Sequence, residues 1–530
     1  PERLQNISWI IVETLFLVLT GVITYFGWGQ IERLLTFPQH TTALRIPFLV
    51  PYLILPLGFG LMCLRLLQRI WDQMRVCGAL DSLLGFALAL GILSPWYLVD
   101  YIDPLPVLFG YFALLCVIGV PIAISLGLST LATIICSQTL PIEYMAQVCF
   151  TSIDSFPIMA IPFFIAAGEY MGAGGLSKRL LNLADEIVGG LYGGIGLTAV
   201  VTCMFFGAIS GSASAAAAAV GSMIRDGAEE QGYDPAVTAA TNAASSCSGL
   251  LIPPSNALIT YSLASGGTSV AALFMAGYVP GIIWALACAV VGVILAKKLG
   301  YKGTPGKFDW KNLGVCTLRA LPSLSLIIVV IGGIVGGVFS ATEGSAIAVV
   351  YALILAFCYR SINLKSLWKI IVDSAKMSGM VVFLVGVSNI LGWVMAFLQI
   401  PDAVAALLLG LTNNKYIILL IMNVILLVSG TFMDVTPAIL IFTPLFLPIC
   451  QSFGMSTIHF GMILVYNLCI GNITPPVGNA LFVGIKVGRT SLEKILPYML
   501  MYYVAIIGGL LLVTYIPAVS MALPQLTGLV

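Results

Sequence analysis

The chain has 530 residues, of which 60% are hydrophobic and 8% charged, and its formal net charge is +1. Soluble domains carry about 25% charged residues, so the composition excludes a soluble globular protein, and the near-neutral balance argues against a nucleic-acid partner. Stretches of about 20 apolar residues recur along it, which predicts an all-α, multi-pass membrane protein surrounded by lipid. The twelve cysteines form no Cys-x-x-Cys pair and there are two histidines, which argues against a disulfide framework or a zinc centre.

Three apolar stretches open the chain and predict membrane spans at residues 8–27, 47–70 and 80–98. The second stretch ends in three arginines, Arg65, Arg69 and Arg75. Because cytoplasmic loops are enriched in Lys and Arg, this end is predicted to face the cytoplasm. The third stretch leads to a loop with Asp100 and Asp103 and no basic residue, which is typical of an outer loop.

The next segment, residues 105–136, is predicted to hold one or two spans with a kink at Gly119-Val120-Pro121. Residues 154–171 follow, and Pro157 and Pro162 interrupt their apolar run. A segment so broken is short for a full crossing, and we interpret it as part of a re-entrant hairpin. A long helix rich in small residues is predicted over 193–223.

The apolar run from Val237 to Leu263 is long enough to cross a membrane, yet Pro253 and Pro254 interrupt its middle. Proline removes a backbone donor and clashes with the preceding turn, so the helix breaks there. A broken helix at membrane depth is tolerated where it is buried in protein or lines a site. The motif from Gly249 to Asn256 is therefore the first candidate binding site.

The second half of the chain repeats the first after a span at 269–296 and a basic segment, Lys297–Arg319, that is predicted to be cytoplasmic. Residues 383–400 are interpreted as a second re-entrant hairpin. The interrupted motif returns as Gly471-Asn472-Ile473-Thr474-Pro475-Pro476-Val477-Gly478-Asn479. Gly207 precedes Pro253 by 46 positions and Gly430 precedes Pro475 by 45. This spacing predicts an internal repeat, at about 105–300 and 320–525, and paired interrupted helices indicate a transporter with inverted repeats.

The interrupted stretches offer oxygen atoms as ligands: backbone carbonyls freed by the helix break, and nearby serine hydroxyls. Hard cations such as sodium take oxygen ligands, and unwound backbone near the middle of the membrane supplies them. The candidate carbonyl ligands are those of Gly249, Ile252, Pro254, Gly471, Thr474 and Pro476. Ser210, in the run Ser210-Gly211-Ser212-Ala213-Ser214, adds a hydroxyl. Two alternatives stay open: small residues that only let helices approach, and proline kinks satisfied by their neighbours.

Asp434 is an acid within an apolar stretch, and an intramembrane ionisable residue is a functional hypothesis by default. Three asparagines are candidates to hydrogen-bond a polar substrate: Asn256, Asn389 and Asn479. Ser255 lies beside the first of them and is assigned to the same site. The alternative for Asp434 is a helix end wetted by a loop, and each asparagine could equally cap a half-helix.

An intramembrane serine protease is an alternative function, because Ser210-Gly211 stands in a membrane helix. Such an enzyme pairs its serine with a histidine, and only His459, on a distant segment, could serve. The chain has no His-Glu-x-x-His or Gly-x-Gly-Asp element, so an enzyme is disfavoured. A channel is a further class, but interrupted helices in both halves favour alternating access.

These motifs resemble those of the large membrane subunit of the tripartite ATP-independent periplasmic (TRAP) transporters. The matching elements are Asp154 to Pro157, Gly207 to Ser214, Ile252 to Ser255, Leu273 to Gly277, Ser340 to Glu343 and Ile473 to Phe482. Residues 1–76 resemble the second half of the family's small four-helix subunit and 77–102 the linker helix of fused versions, which leaves 103–530 as the large subunit. Two small-subunit spans are missing at the front, so the resemblance implies a truncated chain or accompanying small-subunit helices.

The resemblance implies an elevator-type transporter of the bacterial inner membrane, with inverted repeats, two re-entrant hairpins and two discontinuous helices. It implies sodium-driven uptake of a carboxylate-bearing solute that a periplasmic substrate-binding protein delivers; a symporter without a binding protein is the alternative. Carried over by position, one sodium site uses Gly207, Ser210, Gly249, Ile252 and Pro254, and the other uses Gly430, Met433, Gly471, Thr474 and Pro476. Ser212 and Asp434 lie at or beside the substrate site.

One position departs from the pattern of some relatives. Sialic-acid transporters in this family place an arginine in the second hairpin, where this chain has Phe397. The resemblance therefore disfavours sialic acid as substrate. Neutralisation of a substrate carboxylate then falls to the half-helix N-termini after Pro254 and Pro476, or to Lys486.

Overall fold

The computed structural model describes residues 2–41, 45–94, 103–138, 140–303, 309–412 and 414–530. Across these residues the regular structure is helical, and one isolated bridge joins His40 to Pro47. The chain divides into two compact units: Pro1–Ser155 with Val382–Ala403, and Phe156–Val381 with Val404–Val530. Nine helices of the described ranges are long and apolar enough to cross a membrane. The predicted all-α, multi-pass fold is confirmed.

The first unit is a set of helices built around the first helix of the chain. In order they are α1 (Glu2–Thr36), α2 (Leu49–Tyr52), α3 (Ile54–Val76), α4 (Ala79–Leu93), α5 (Pro104–Ile118), α6 (Ile122–Ser137) and α7 (Glu143–Ile153). Leu15, Leu19 and Ile23 of α1 recur every four residues, so they share one helix face, and all three are buried in the core of this unit. Glu13 is also buried on α1, and its carboxylate lies 3.1 Å from Arg69 of α3.

At Gly119-Val120-Pro121, where a kink is predicted, the structure has a full break between two helices, α5 and α6. Gly119 follows the last residue of α5 with φ +91°, a left-handed conformation that glycine adopts without a Cβ penalty. Asp103 caps the other end of α5, where its carboxylate accepts a hydrogen bond from Leu105 N at 3.1 Å. Residues 95–102, with the end of the predicted third span and Asp100, lie outside the described residues.

The second unit begins with a short 3-10 turn, Phe156–Met159. Its helices follow as α8 (Ala160–Ala173), α9 (Leu176–Val188), α10 (Gly194–Ser210), α11 (Ala213–Glu230), α12 (Pro235–Ser246), α13 (Ser248–Leu251), α14 (Asn256–Ala264), α15 (Val270–Leu299), α16 (Trp310–Val335), α17 (Ala341–Cys358), α18 (Leu364–Phe397), α19 (Ile400–Leu411), α20 (Lys415–Gly430), α21 (Val435–Ser452), α22 (Thr457–Gly471), α23 (Asn479–Val487), α24 (Leu492–Tyr515) and α25 (Ala518–Leu526). The last part of α18 and the start of α19 belong to the first unit.

Both predicted positions of the re-entrant hairpins are wrong. Residues 156–173 form the 3-10 turn and α8 without a reversal, and residues 383–397 are the end of the uninterrupted helix α18. The predicted long helix over 193–223 is instead the first hairpin: α10 ends at Gly211, whose φ is +60°, and the Ser212 side chain caps α11. Ala199 of α10 and Ile224 of α11 line one small cavity, so the two helices lie side by side. The second hairpin is α20 and α21, joined by the turn Thr431–Asp434.

The interrupted helices lie where the prolines predict them. In the first, α12 and α13 end at Leu251, Ile252 is extended, and α14 starts at Asn256. In the second, α22 ends at Gly471 and α23 starts at Asn479. The order hairpin, interrupted helix, long helix therefore occurs twice, as α10 to α15 and as α20 to α24.

The start of α17 shows a local feature that its sequence also predicts. In Ser340-Ala341-Thr342-Glu343, a serine followed three residues later by glutamate is the pattern of a capping box. The Ser340 hydroxyl accepts a hydrogen bond from Glu343 N at 3.2 Å, and the Glu343 carboxylate accepts one from Ser340 N at 2.8 Å. Glu343 is therefore a helix cap.

Candidate functional site

The second unit contains a cavity of about 650 Å³ at the place where its repeated elements meet. The turn of the first hairpin contributes residues 210–215, and the turn of the second contributes Asp434, Val435 and Thr436. The first interrupted helix contributes Leu250 and Asn256, and the second contributes Asn472 and Asn479. The cavity is thus lined by both hairpin turns and both helix interruptions.

Four helix N-termini open onto this cavity. These are the starts of α11, α14, α21 and α23, and their first residues are among those that line it. Ser212 caps α11, Ser255 caps α14, and the Asp434 carboxylate accepts a hydrogen bond from Val435 N of α21 at 2.9 Å. Each helix N-terminus carries about half a positive charge. The described residues that line the cavity include no Lys, Arg or His, so the positive charge next to it is that of the helix N-termini.

The first predicted sodium-site group is brought together by a contact between two glycines. A Cβ added to Gly207 of α10 would lie 2.2 Å from Gly249 Cα, and one added to Gly249 would lie 2.3 Å from Gly207 Cα. Only residues without a Cβ allow this approach of two backbones. Ser210 follows one turn later, 4% exposed, with its hydroxyl 3.5 Å from the Ser212 carbonyl.

Two further residues of this group belong to the helix interruption itself. The Pro254 carbonyl oxygen lies 3.1 Å from the position a Cβ of Gly211 would take, beside the hairpin turn. Ile252 is buried in the extended segment, and its side chain fills the space over Gly281 of α15. The structure therefore brings Gly207, Ser210, Gly249 and Pro254 to one place, with Ile252 behind them.

The second group shows the same construction. A Cβ added to Gly471 would lie 2.5 Å from the carbonyl carbon and oxygen of Gly430. Val477 N donates a hydrogen bond to Thr431 O at 3.2 Å, so the helix interruption is tied to the hairpin turn that holds Met433. The Thr474 hydroxyl donates to Ile470 O at 2.6 Å and Thr474 N donates to Gly471 O at 2.9 Å. Pro476 follows and is exposed.

The predicted substrate residues divide into two sets. Four of them line the cavity: Ser212, Asn256, Asp434 and Asn479. Ser255 does not, because it is 0% exposed and its hydroxyl donates to Leu250 O and accepts from Leu258 N. Asn389 belongs to the first unit, where its amide donates to Val385 O of its own helix at 2.9 Å. Lys486 lies on α23 and is not among the lining residues.

Among the cavity residues that were not predicted, one is an acid and one is a buried amide. Glu169 of α8 lines the cavity and is the only charged residue in the apolar helix Ala160–Ala173. An acid within an apolar stretch is visible in the sequence and indicates a functional site. Asn472 lines the cavity from the second interruption, is 5% exposed, and has a side-chain oxygen without a hydrogen-bond partner. The sequence feature that points to Asn472 is a difference between the two motifs: Gly471 is followed by this polar residue, whereas Gly249 is followed by Leu250.

The residues of the alternative protease function are engaged elsewhere. His459 Nδ1 lies 2.7 Å from the hydroxyl of Ser520. The Ser210 hydroxyl faces the Ser212 carbonyl instead. The serine and the histidine that an intramembrane protease would need do not pair.

The chain is similar in sequence and fold to several known proteins. Residues 109–519 match the family model described as the tripartite ATP-independent periplasmic transporter, DctM component, and residues 1–76 match the DctQ component of the same transporters. The chain is 47% identical over 522 residues to the isethionate TRAP transporter permease protein DctMQ of Oleidesulfovibrio alaskensis, which covers 98% of this chain and 82% of that protein. It is 35% identical over 437 residues to the C4-dicarboxylate TRAP transporter large permease protein DctM of Rhodobacter capsulatus, covering 80% and 99%. Among solved structures, the YdaH transporter of Alcanivorax borkumensis superposes with a TM-score of 0.53 at 16% identity, over 71% of this chain and 89% of that one; this likeness concerns the fold alone.

Proposed function

The chain belongs to the TRAP transporter family, with a large-subunit region and a small-subunit region in one polypeptide, and on this premise we propose that it carries out sodium-coupled uptake of a small organic anion. A periplasmic substrate-binding protein delivers the anion, and the cavity moves across the membrane by an elevator motion. The family assignment makes the chain an inner-membrane permease for organic acids, not an enzyme.

The observation that carries the proposal is the meeting of four helix N-termini at a cavity without a basic side chain among its described lining residues. A helix N-terminus stabilises a nearby anion by about 0.3–1 kcal/mol when exposed and up to about 2 kcal/mol when partly buried. The α21 N-terminus already faces the Asp434 carboxylate, and the other three termini at about 1 kcal/mol each give roughly 3 kcal/mol, which corresponds to a dissociation constant of several millimolar. The cavity therefore suits an anion that is held loosely and supplied by a partner.

Sodium coupling is supported by the two glycine contacts. In each repeat, a hairpin helix approaches an interrupted helix so closely that backbone lies against backbone, at Gly207 with Gly249 and at Gly430 with Gly471. Unwound carbonyls beside such contacts are suitable ligands for sodium. We propose one sodium ion at each contact, with Gly207, Ser210, Gly249, Ile252 and Pro254 around the first and Gly430, Met433, Gly471, Thr474 and Pro476 around the second.

The proposed substrate is a small carboxylate or sulfonate. Relatives are named for isethionate, which is a sulfonate, and for C4-dicarboxylates. Both groups are anionic and rich in acceptor oxygens, which backbone N–H groups at helix N-termini can bind. Ser212, Asn256, Asp434 and Asn479 line the cavity and are proposed to orient the substrate. Sialic acid stays disfavoured, because position 397 is phenylalanine.

The test is uptake of radiolabelled isethionate and succinate into proteoliposomes that contain the purified chain, with a periplasmic substrate-binding protein for each anion added outside. We expect uptake that needs an inward sodium gradient, rises sigmoidally with sodium and stops without the binding protein. Uptake that persists in sodium-free, potassium-loaded vesicles under a proton gradient would contradict sodium coupling. Undiminished uptake without the binding protein would favour a stand-alone symporter.

A pair of serine variants tests the ion site itself. Ser210→Ala removes a proposed hydroxyl ligand, and we expect a weaker dependence on sodium with little loss of stability. Ser222→Ala is the matched control, because that hydroxyl is on the same hairpin but bonds only its own helix, at Ala219 O. Equal sodium curves for the two variants would remove Ser210 from the site.

A further inference from the structure

One of the differences between the two repeats concerns a position that lines the cavity. Leu250 follows Gly249 in the first repeat, and Asn472 follows Gly471 in the second. Both line the cavity. Corresponding positions of the repeat thus place an apolar side chain on one part of the cavity wall and an amide on the other.

The side-chain amide of Asn472 has a hydrogen-bond partner for its nitrogen but none for its oxygen. Its nitrogen lies 4.0 Å from the Cys247 sulfur, and its Oδ1 is buried without a hydrogen-bond partner. The side chain is 5% exposed. A buried carbonyl oxygen without a donor is costly, and a ligand that brings a donor would remove that cost.

A second oxygen of the same kind lies at the start of α14. Asn256 Oδ1 is also buried without a partner, and Asn256 lines the same cavity. The four helix N-termini offer hydrogen-bond donors, and the acidic group of an organic anion supplies acceptors for them. That acidic group has no donor for the two amide oxygens, because an ionised carboxylate or sulfonate only accepts.

We propose that Asn472 is a specificity-determining residue that selects anions carrying a hydroxyl group. The acidic group binds at the helix N-termini, the hydroxyl donates to Asn472 Oδ1, and Leu250 contacts the apolar part of the solute. Isethionate and malate belong to this class; ethanesulfonate and succinate, which lack the hydroxyl, leave the oxygen unpaired. This inference rests on the proposed function, since it assumes that the cavity binds an organic anion.

The test measures dissociation constants of the purified full chain in sodium chloride, from ligand-dependent thermal stabilisation. The probes are isethionate against ethanesulfonate and malate against succinate. Loss of one hydrogen bond to a buried group weakens binding by about tenfold or more. We expect the wild type to bind each hydroxylated anion at least about tenfold more tightly than its unsubstituted partner.

Three variants assign the preference to one residue. Asn472→Leu introduces the residue of the first repeat. We expect the ratio between the dissociation constants of the unsubstituted and the hydroxylated anion to fall to about twofold or less. Asn472→Asp keeps an acceptor oxygen, so the ratio should persist while both anions bind more weakly beside the added charge. Leu250→Met is the matched control at the corresponding position and should leave the ratio unchanged.

The outcomes separate the inference from the function beneath it. Equal binding of hydroxylated and unsubstituted anions by the wild type, or an unchanged ratio in Asn472→Leu, overturns the inference and leaves anion transport intact. A shift in sodium dependence in Asn472→Leu with an unchanged ratio also overturns it, because the oxygen then serves an ion. Failure of all four anions to stabilise the wild type at concentrations far above the expected dissociation constant refutes anion binding itself, and the inference with it.

Discussion

Alanine at Gly249 is expected to abolish high-affinity sodium activation, whereas alanine at Gly430 is expected to be mild. The added methyl group at Gly249 would lie 2.3 Å from Gly207 Cα and 3.0 Å from its carbonyl carbon. Carbon atoms need about 3.5–4.0 Å, so the two helices must separate by roughly 1 Å. No flexible side chain can absorb the clash, because both sides are backbone. At Gly430 the nearest atom is Gly471 Cα at 3.3 Å, which a shift of a few tenths of an ångström relieves.

The expected magnitude follows from this geometry. Forcing an extra methylene into a packed contact costs about 1–3 kcal/mol. In the Gly249→Ala variant the two helices are held apart by the added methyl group. Sodium can then bind only if the helices are pushed together against this clash, or if the ion accepts ligands that have moved away from it. Since about 1.4 kcal/mol is a factor of ten, the sodium concentration for half-maximal uptake should rise roughly five- to hundredfold. The same constant in Gly430→Ala should change by less than about threefold.

The assay is initial uptake against sodium concentration in proteoliposomes, with Gly249→Ala, Gly430→Ala and Gly227→Ala prepared in parallel. Gly227 lies in α11 with nothing within 4 Å of an added Cβ, so it reports the effect of a helical Gly-to-Ala change alone. Monodisperse purification and an unchanged sodium-free melting temperature show that a variant folds. Wild-type sodium activation in a folded Gly249→Ala would refute the assignment of this glycine contact to an ion site. Equal effects at Gly249 and Gly430 would refute the argument from the Cβ distances.

Three further predictions concern the hairpin turn, a helix cap and the topology. Asp434→Asn keeps a residue able to cap α21 but removes the charge, and sodium-stimulated uptake should fall about tenfold, as expected for a coupling free energy of 1–3 kcal/mol; wild-type rates would contradict this. Glu343→Ala breaks the capping box and should lower the melting temperature, while Glu343→Gln should restore most of the loss; equal melting temperatures would count against the cap. A cysteine at Asn312, in a background without the twelve native cysteines, should react with an impermeant reagent only from the cytoplasmic side; labelling in intact cells would reverse the topology.

The interrupted helices could be predicted from sequence because proline acts locally. Pro253 and Pro475 each follow an extended residue or turn, and no helix runs through either position. The same reasoning misplaced the first hairpin, since proline is tolerated in the first turn of a helix. Pro157 lies in the short 3-10 turn and Pro162 is the third residue of α8, so neither breaks a span.

The second hairpin was misplaced for a different reason. Ser388-Asn389 lies inside α18, and the Asn389 amide bonds the carbonyl four residues earlier, which a continuous helix allows. The true first turn has its own local pattern: Gly211 ends α10 in a left-handed conformation and Ser212 caps α11. A helix stop followed at once by a helix start is readable in Ser210-Gly211-Ser212. The glycine contacts are not readable in this way, because residues 41 or 42 positions apart meet only through the tertiary fold.

The absence of a basic side chain among the described residues of the cavity wall is consistent with a carrier that must release its solute. An arginine would bind a carboxylate or sulfonate through two charge-assisted hydrogen bonds, and burial would strengthen them. Helix N-termini give a weaker attraction, about 1 kcal/mol each, from groups that are fixed in the fold and carry no proton that could be lost. Asp434 sets a negative charge beside the same cavity, and sodium at the two glycine contacts would offset it. We therefore expect affinity for the anion to depend on bound sodium, so that loss of sodium on the cytoplasmic side weakens binding and releases the solute.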